Sequence, residues 1–196
     1  MIVSTEQLVE EHKVIKDALR ILEKICDKLD SREKVDPEHI EQLIDFIRTF
    51  ADKCHHGKEE DLLFQAMEDA RIPSKGRPDE ENVFYALLVE HFLGRDYVKG
   101  MADGIAKYKA GDKRASYRII ENARDYVELL RQHIEKEDDT AYLIADSNLS
   151  EEKKKELLKK FDEVEKEKIG IGVHEKYHAL IENYKQIYLE KQENSM

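Results

Sequence analysis

Tryptophan is absent from this 196-residue chain, cysteine occurs twice, proline three times and glycine eight times. So few prolines and glycines leave little room for the many turns of a sheet protein, and long helices are the expected element. Cys26 and Cys54 are too few for a disulfide framework and read as reduced core thiols of a cytoplasmic protein. No apolar run approaches the roughly 20 residues of a membrane span. The opening MIVSTEQLVEEHK turns charged too early for a signal peptide. Positive charge is also in deficit. The net charge is -11, and the Lys-rich run at 153–160 is matched by neighbouring glutamates, which argues against a nucleic-acid partner.

Hydrophobic residues make up 40% of the chain, enough to bury a core, and the charged 39% falls in mixed-sign blocks such as EEKKKELLKK, as on solvated helix faces. The length suits one ordinary domain with an appendage. Apolar residues recur at helical spacing: Leu8, His12, Ile15, Leu19, Leu22, Cys26 and Leu29 form one stripe, with Ser4 or Thr5 as the cap. Asp36-Pro37-Glu38 opens a second helix to about Ala70, its stripe running Ile44, Ile47, Ala51, His55, Glu59, Leu62 and Ala66. RIPSKGRPD reads as a loop. A third helix carries Phe84, Leu87, His91, Gly94, Val98, Met101, Ile105 and Tyr108 on its inner face, and Gly111-Asp112 ends it. A fourth carries Ala123, Val127, Leu130, His133, Glu137, Ala141 and Ile144. These periods predict an all-α, up-down-up-down four-helix bundle over residues 1–148. A helical extension over 149–196 packs on it, starting at Ser150 and broken at Gly170 and Gly172.

Each of the four stripes contains one histidine, and two add a glutamate four residues on. A spacing of four places both side chains on one helix face. A lone histidine on an apolar face is usually a hydrogen-bonded core residue. Four of them with two matched glutamates are costly to bury without a metal. Imidazole and carboxylate together suit Fe, Mn or Zn, and carboxylates can bridge two ions. The expected ligands are His12, His55, Glu59, His91, His133 and Glu137, with Glu60 pointing sideways and His56 a possible support.

The strings EEHKVI, HHGKEEDLLF, VEHFLGRD and QHIEKEDDTAYL, over roughly residues 5–146, resemble the hemerythrin-like (HHE cation-binding) family. The resemblance implies a non-haem di-iron centre of two Fe ions, oxo- or hydroxo-bridged, that meets O2, NO or peroxide. It departs from the oxygen-carrying hemerythrins in two places. Arg95 stands where they have a second histidine on the third helix. On the fourth they use an aspartate five residues after the histidine; here Glu137 precedes Asp138, so Asp138 is an additional candidate. This shifts the expectation away from simple oxygen carriage and toward relatives that sense or handle iron, oxygen species or NO.

In the extension, His174 and His178 are spaced by four beside Glu175 and Tyr177. They read either as a surface group on a brace or, with the glycines as a hinge, as a lid placing His174 or Glu175 near the metals. Binding or sensing of a small diatomic, peroxide or iron stands first among the functions. An oxidoreductase with Tyr85, Tyr126 or Tyr142 as donor, or a helical module stapled by metal, are the alternatives. The expected assembly is a monomer or dimer, without nucleic acid or membrane.

Overall fold

A computed structural model describes residues 5–72 and 83–190. Every regular element among them is helical, and none is long and apolar enough to cross a membrane. Helix α1 is Glu6–Asp30. Helix α2, residues 37–69, is α-helical over Pro37–Phe46 and Phe64–Asp69 but widens to π-type turns over Ile47–His56 and Glu59–Leu63. Helix α3 is Val83–Lys109. Helix α4, residues 115–148, contains one π-type turn, Glu137–Ala141. Helices α5 (residues 151–169) and α6 (residues 173–190) form the extension.

The helix starts follow from local chemistry. The Asp36 carboxylate accepts the Glu38 N–H at 3.0 Å with Pro37 in the first turn, and Ser150 Oγ accepts the Lys153 N–H at 3.2 Å. Thr5 occupies the cap position of α1 but does not cap it. Its hydroxyl donates instead to Asp146 at 2.5 Å, tying α1 to α4, while Ser4 lies outside the described residues. Of the RIPSKGRPD loop, residues 73–79 likewise lie outside them. Gly170 and Gly172 both take positive φ, 96° and 82°, so the break between α5 and α6 falls where these residues allow it. Gly104 lets α3 approach α4 closely, because a Cβ there would stand 2.8 Å from Ile119 Cγ1 and 3.3 Å from the Ile119 backbone nitrogen.

Two apolar clusters make the core. One gathers Ile15, Leu22, Phe46, Ala51, Met101 and Leu130 with their neighbours; the other gathers Leu8, Leu63, Leu87, Ala141 and Tyr142. The expected ligands of α1, α2 and α3 fall between the two clusters in sequence, as does Glu137 of α4, while His133 stands next to Ile134 at the edge of the first cluster. The extension joins both clusters: Leu157 and Phe161 of α5 enter the second, and Tyr177, Ile181, Tyr184 and Tyr188 of α6 enter the first. On this basis Phe161→Ala should cost about 3–5 kcal/mol. Denaturant unfolding should remain one transition shifted to lower denaturant; a separate, earlier transition of the extension would show that it is not part of the common core.

Candidate metal centre

The wide turns in α2 decide which side chains reach the interior. In a π-type turn the backbone bonds i to i+5, so the helix face rotates relative to 3.6-residue spacing. Over Ile47–His56 this buries two consecutive histidines, His55 and His56, and over Glu59–Leu63 it buries Leu63 fully beside the expected Leu62, which packs half-buried on the same cluster. A similar turn begins at Glu137 in α4.

The six residues singled out by their spacing come together. His12, His55, Glu59, His91, His133 and Glu137 are each at most 2% exposed. Two imidazole pairs face each other by their Nε2 atoms, His12 with His55 at 2.9 Å and His91 with His133 at 3.0 Å. The two glutamates lie across both pairs. Glu137 is 3.2 Å from His12 and 3.0 Å from His133, and Glu59 is 3.8 Å from His55 and 3.6 Å from His91. Donor atoms of His12, His55, Glu59 and Glu137 lie within 4.8 Å of one another, as do those of His56, Glu59, His91 and His133. Glu59 is common to both groups.

Each facing imidazole hands its other nitrogen to a carboxylate. His12 Nδ1 donates to Asp138 at 2.7 Å, His55 to Glu11 at 2.9 Å, His91 to Glu60 at 2.7 Å and His133 to Glu90 at 2.9 Å. Every one of these carboxylates is held in turn by a cation: Asp138 by Lys16 at 2.9 Å, Glu11 by Lys58 at 2.5 Å, Glu60 by Arg95 at 2.7 Å, and Glu90 by Lys136. Burial alone would raise the four carboxyls, but the imidazoles and cations outweigh it and hold them below their ordinary values. They are therefore ionised acceptors, and the Nδ1 atoms they face carry the protons. That fixes the tautomer and leaves lone pairs on Nε2.

Two nitrogen lone pairs 2.9 or 3.0 Å apart, beside buried carboxylate oxygens, repel unless a cation lies among them. The oxygens Glu59 Oε2, Glu137 Oε1 and Glu137 Oε2 have no hydrogen-bond partner. In the metal-free chain protons supply part of the missing charge. His133 is raised to about 9, against its burial, by Glu137 and Glu90, whereas burial pushes His55 down to about 4. Burial and the neighbouring charge of Glu137 push Glu59 up, while the imidazole of His133 outweighs burial and holds Glu137 down. The donor set fits a metal of the borderline or harder kind.

The remaining candidates take other places. Asp138 is the acceptor for His12 and Glu60 the acceptor for His91. His174 Nε2 lies 3.8 Å from Glu11, so α6 touches the partner of His55, and Glu165 of α5 accepts from Lys58 at 2.7 Å in the same group. Glu175 is exposed and belongs to neither ligand group, and Tyr177 donates to Asp45 at 2.8 Å. Tyr142 donates to Glu59 at 2.6 Å and stands 3.3 Å from His12 Nε2. Tyr126 is buried with an unpartnered hydroxyl, and Tyr85 is exposed.

Reading the sequence missed Glu11 and Glu90 as functional residues. The signal was an acid beside a ligand, serving a histidine of a different helix: Glu11 precedes His12 but orients His55, and Glu90 precedes His91 but orients His133. Glu59→Ala removes a carboxylate common to both groups and should abolish metal retention against a chelator. Asp138→Asn, Glu60→Gln and Glu90→Gln should retain metal but weaken its binding about 10–100-fold. Elemental analysis after graded chelator dialysis checks the order; Glu60→Gln as damaging as Glu59→Ala would contradict this assignment of shells.

No curated protein and no solved structure matched in the comparisons made with this chain. The family model described as the hemerythrin HHE cation binding domain matches residues 3–145, a span that holds all six clustered residues and all four carboxylates behind them. The chain therefore belongs to the hemerythrin HHE cation-binding family.

Proposed function

We propose that this protein is a non-haem di-iron protein whose buried centre binds or senses O2, NO, peroxide or iron itself. The observation that carries the reading is the pair of facing imidazoles on each side of Glu59 and Glu137, two pockets of lone pairs that share the Glu59 carboxylate. His12 and His55 would hold one ion, His91 and His133 the other, and the glutamates would span both. Bound iron supplies the redox chemistry and the affinity for a diatomic or peroxide, and the protein supplies placement and access. Tyr142 keeps Glu59 oriented through its hydroxyl, and the apolar clusters on both sides exclude water from the carboxylates.

The same reading includes an up-down-up-down bundle. Along α1 and α3 the chain passes from the Leu8 and Leu87 cluster to the Ile15 and Met101 cluster, and along α2 and α4 it passes back. A second reading, a peroxide- or NO-handling oxidoreductase, is favoured by one observation. The Tyr142 hydroxyl, 3.3 Å from His12 Nε2, is a buried proton donor beside the first ion position.

Anaerobic reconstitution should load about two iron ions per chain by elemental analysis; one zinc, with no uptake of iron, would end the di-iron reading. Loading should also raise the melting temperature, since a ligand at 100- to 1,000-fold its Kd adds roughly 3–4 kcal/mol. This gain has a pH dependence of defined sign. His133 is raised from 6.5 to about 9 in the metal-free fold. Its proton stabilises that fold fully below pH 6.5, and the contribution is lost as pH rises through 9. Metal replaces the proton, so the melting-temperature gap between loaded and metal-free protein should widen from pH 6.5 to 9. A gap that narrows over this window would contradict the assignment.

A further inference from the structure

The start of α6 carries a pair of imidazoles that the di-iron reading does not use. Residues 174–178 read His-Glu-Lys-Tyr-His, on a helix that spans Val173–Lys185. Two histidines four apart stand on one helix face, the arrangement by which a helix with this pattern chelates zinc. Their rings lie side by side, with centroids 4.6 Å apart and planes at 43°, and Phe50 of α2 contacts both. Tyr177, bonded to Asp45 at 2.8 Å, and Ile181, buried in the first cluster, hold α6 on the bundle. With Glu10, Glu11 and Glu165, the two histidines line a cavity of about 410 Å³ between α1 and the extension.

The polar groups of this cavity favour a cation. Three carboxylates, Glu10, Glu11 and Glu165, stand against the ammonium groups of Lys13 and Lys58, which leaves one negative charge over. His174 Nε2 is buried and has no hydrogen-bond partner. The oxygen it faces, Glu11 Oε1, is 3.8 Å away, too far for a hydrogen bond. Two donors held about 2.0–2.2 Å from one ion, however, stand roughly 3–4 Å apart. Glu11 Oε1 also accepts from Lys58, and an ionised carboxylate oxygen has a second lone pair to give. The neighbouring group of Glu11, Cys54 and Glu165 is no rival, because Lys58 Nζ already stands in it, 2.5 Å from Glu11 and 2.7 Å from Glu165.

We infer that His174, His178 and Glu11 form an outer site for a divalent ion of the zinc type, separate from the buried centre. Two imidazoles and one carboxylate are a three-donor set that leaves a coordination position to water. Two of the three donors lie outside the span matched to the family, and the site does not depend on the di-iron reading. Glu11 Oε2 accepts the His55 N–H at 2.9 Å, so this one carboxylate stands between the outer site and the inner ligands. Glu175, whose place in the pattern is that of a hydrolytic base, is exposed and lies outside the cavity lining, so the site is one for binding rather than hydrolysis.

Equilibrium dialysis of the full-length protein against Zn(II), after the buried centre has been saturated with iron, tests this by counting ions. The wild type should take up one zinc per chain without losing iron, and zinc should raise its melting temperature. His174→Ala and His178→Ala should keep their iron but bind this zinc about 10-fold or more weakly, since even the loss of a group behind a ligand costs that much. His178 is exposed, so its replacement leaves the fold intact and decides the matter if His174→Ala does not fold. Glu175→Gln should bind zinc as the wild type does. No zinc uptake by the wild type, or wild-type affinity in the histidine variants, would overturn the outer site and leave the di-iron reading standing. If the wild type takes up no iron, the di-iron reading falls, and dialysis of the metal-free protein decides the outer site alone: the histidine variants should bind one zinc fewer than the wild type, and equal binding would overturn it.

Discussion

Four chains of charge, each running from cation to carboxylate to imidazole, hold this structure at its centre. Lys16, Lys58, Arg95 and Lys136 fix Asp138, Glu11, Glu60 and Glu90, and these fix the Nδ1 protons of His12, His55, His91 and His133. The direction of each chain is what matters. Anchoring the proton on the outer nitrogen turns the inner nitrogen into a lone pair, and four lone pairs then converge on two buried carboxylates. Reversing a single tautomer would replace a ligand with a donor. The outer ions thus set the chemistry of the inner ones, and the apolar clusters on either side keep water from relaxing the arrangement.

The chains also tie the helices together. Each carboxylate sits beside a ligand of its own helix yet serves a ligand of another: Glu11 on α1 serves α2, Glu60 on α2 serves α3, Glu90 on α3 serves α4, and Asp138 on α4 serves α1. The circuit closes on itself. A shift of any one helix along its axis would therefore disturb two imidazoles, which makes helix register and ligand orientation a single constraint. The extension is attached to this circuit at one point. Glu165 and Lys58 join α5 to Glu11, and His174 of α6 approaches the same carboxylate, so the last helices brace the outer partner of His55. Among the described residues, Glu165 of α5 joins Glu11 and Cys54 in a further group of possible donors, but no side chain of α5 or α6 enters the two groups that share Glu59.

The stripes of α1, α3 and α4, the glycine break before α6 and the family resemblance were legible in the sequence, because burial repeats with the helical period and polar residues inside that period stand out. The spacing of four between His55 and Glu59, and between His133 and Glu137, carried the reading of a metal centre. What spacing could not convey was the local pitch of the backbone. A 3.6-residue period lets one of two adjacent histidines face inward, whereas the widened turn of Ile47–His56 buries both, and that of Glu59–Leu63 buries Leu63 fully while Leu62 packs half-buried on the same cluster.

The sequence by itself determined that the chain is helical, that imidazoles and carboxylates stand within its apolar stripes, and on which helix each one sits. These follow from residue type and periodicity, which are local. Which carboxylate orients which histidine was decided only by the tertiary structure, since every such pair joins residues of different helices. The role of Asp138 was decided in the same way: packing of α4 against α1 sets its carboxylate 2.7 Å from His12 Nδ1, outside the centre it adjoins in sequence. Hydrogen bonds between helices depend on their rotation and axial offset, and no repeat along a single chain records those two quantities.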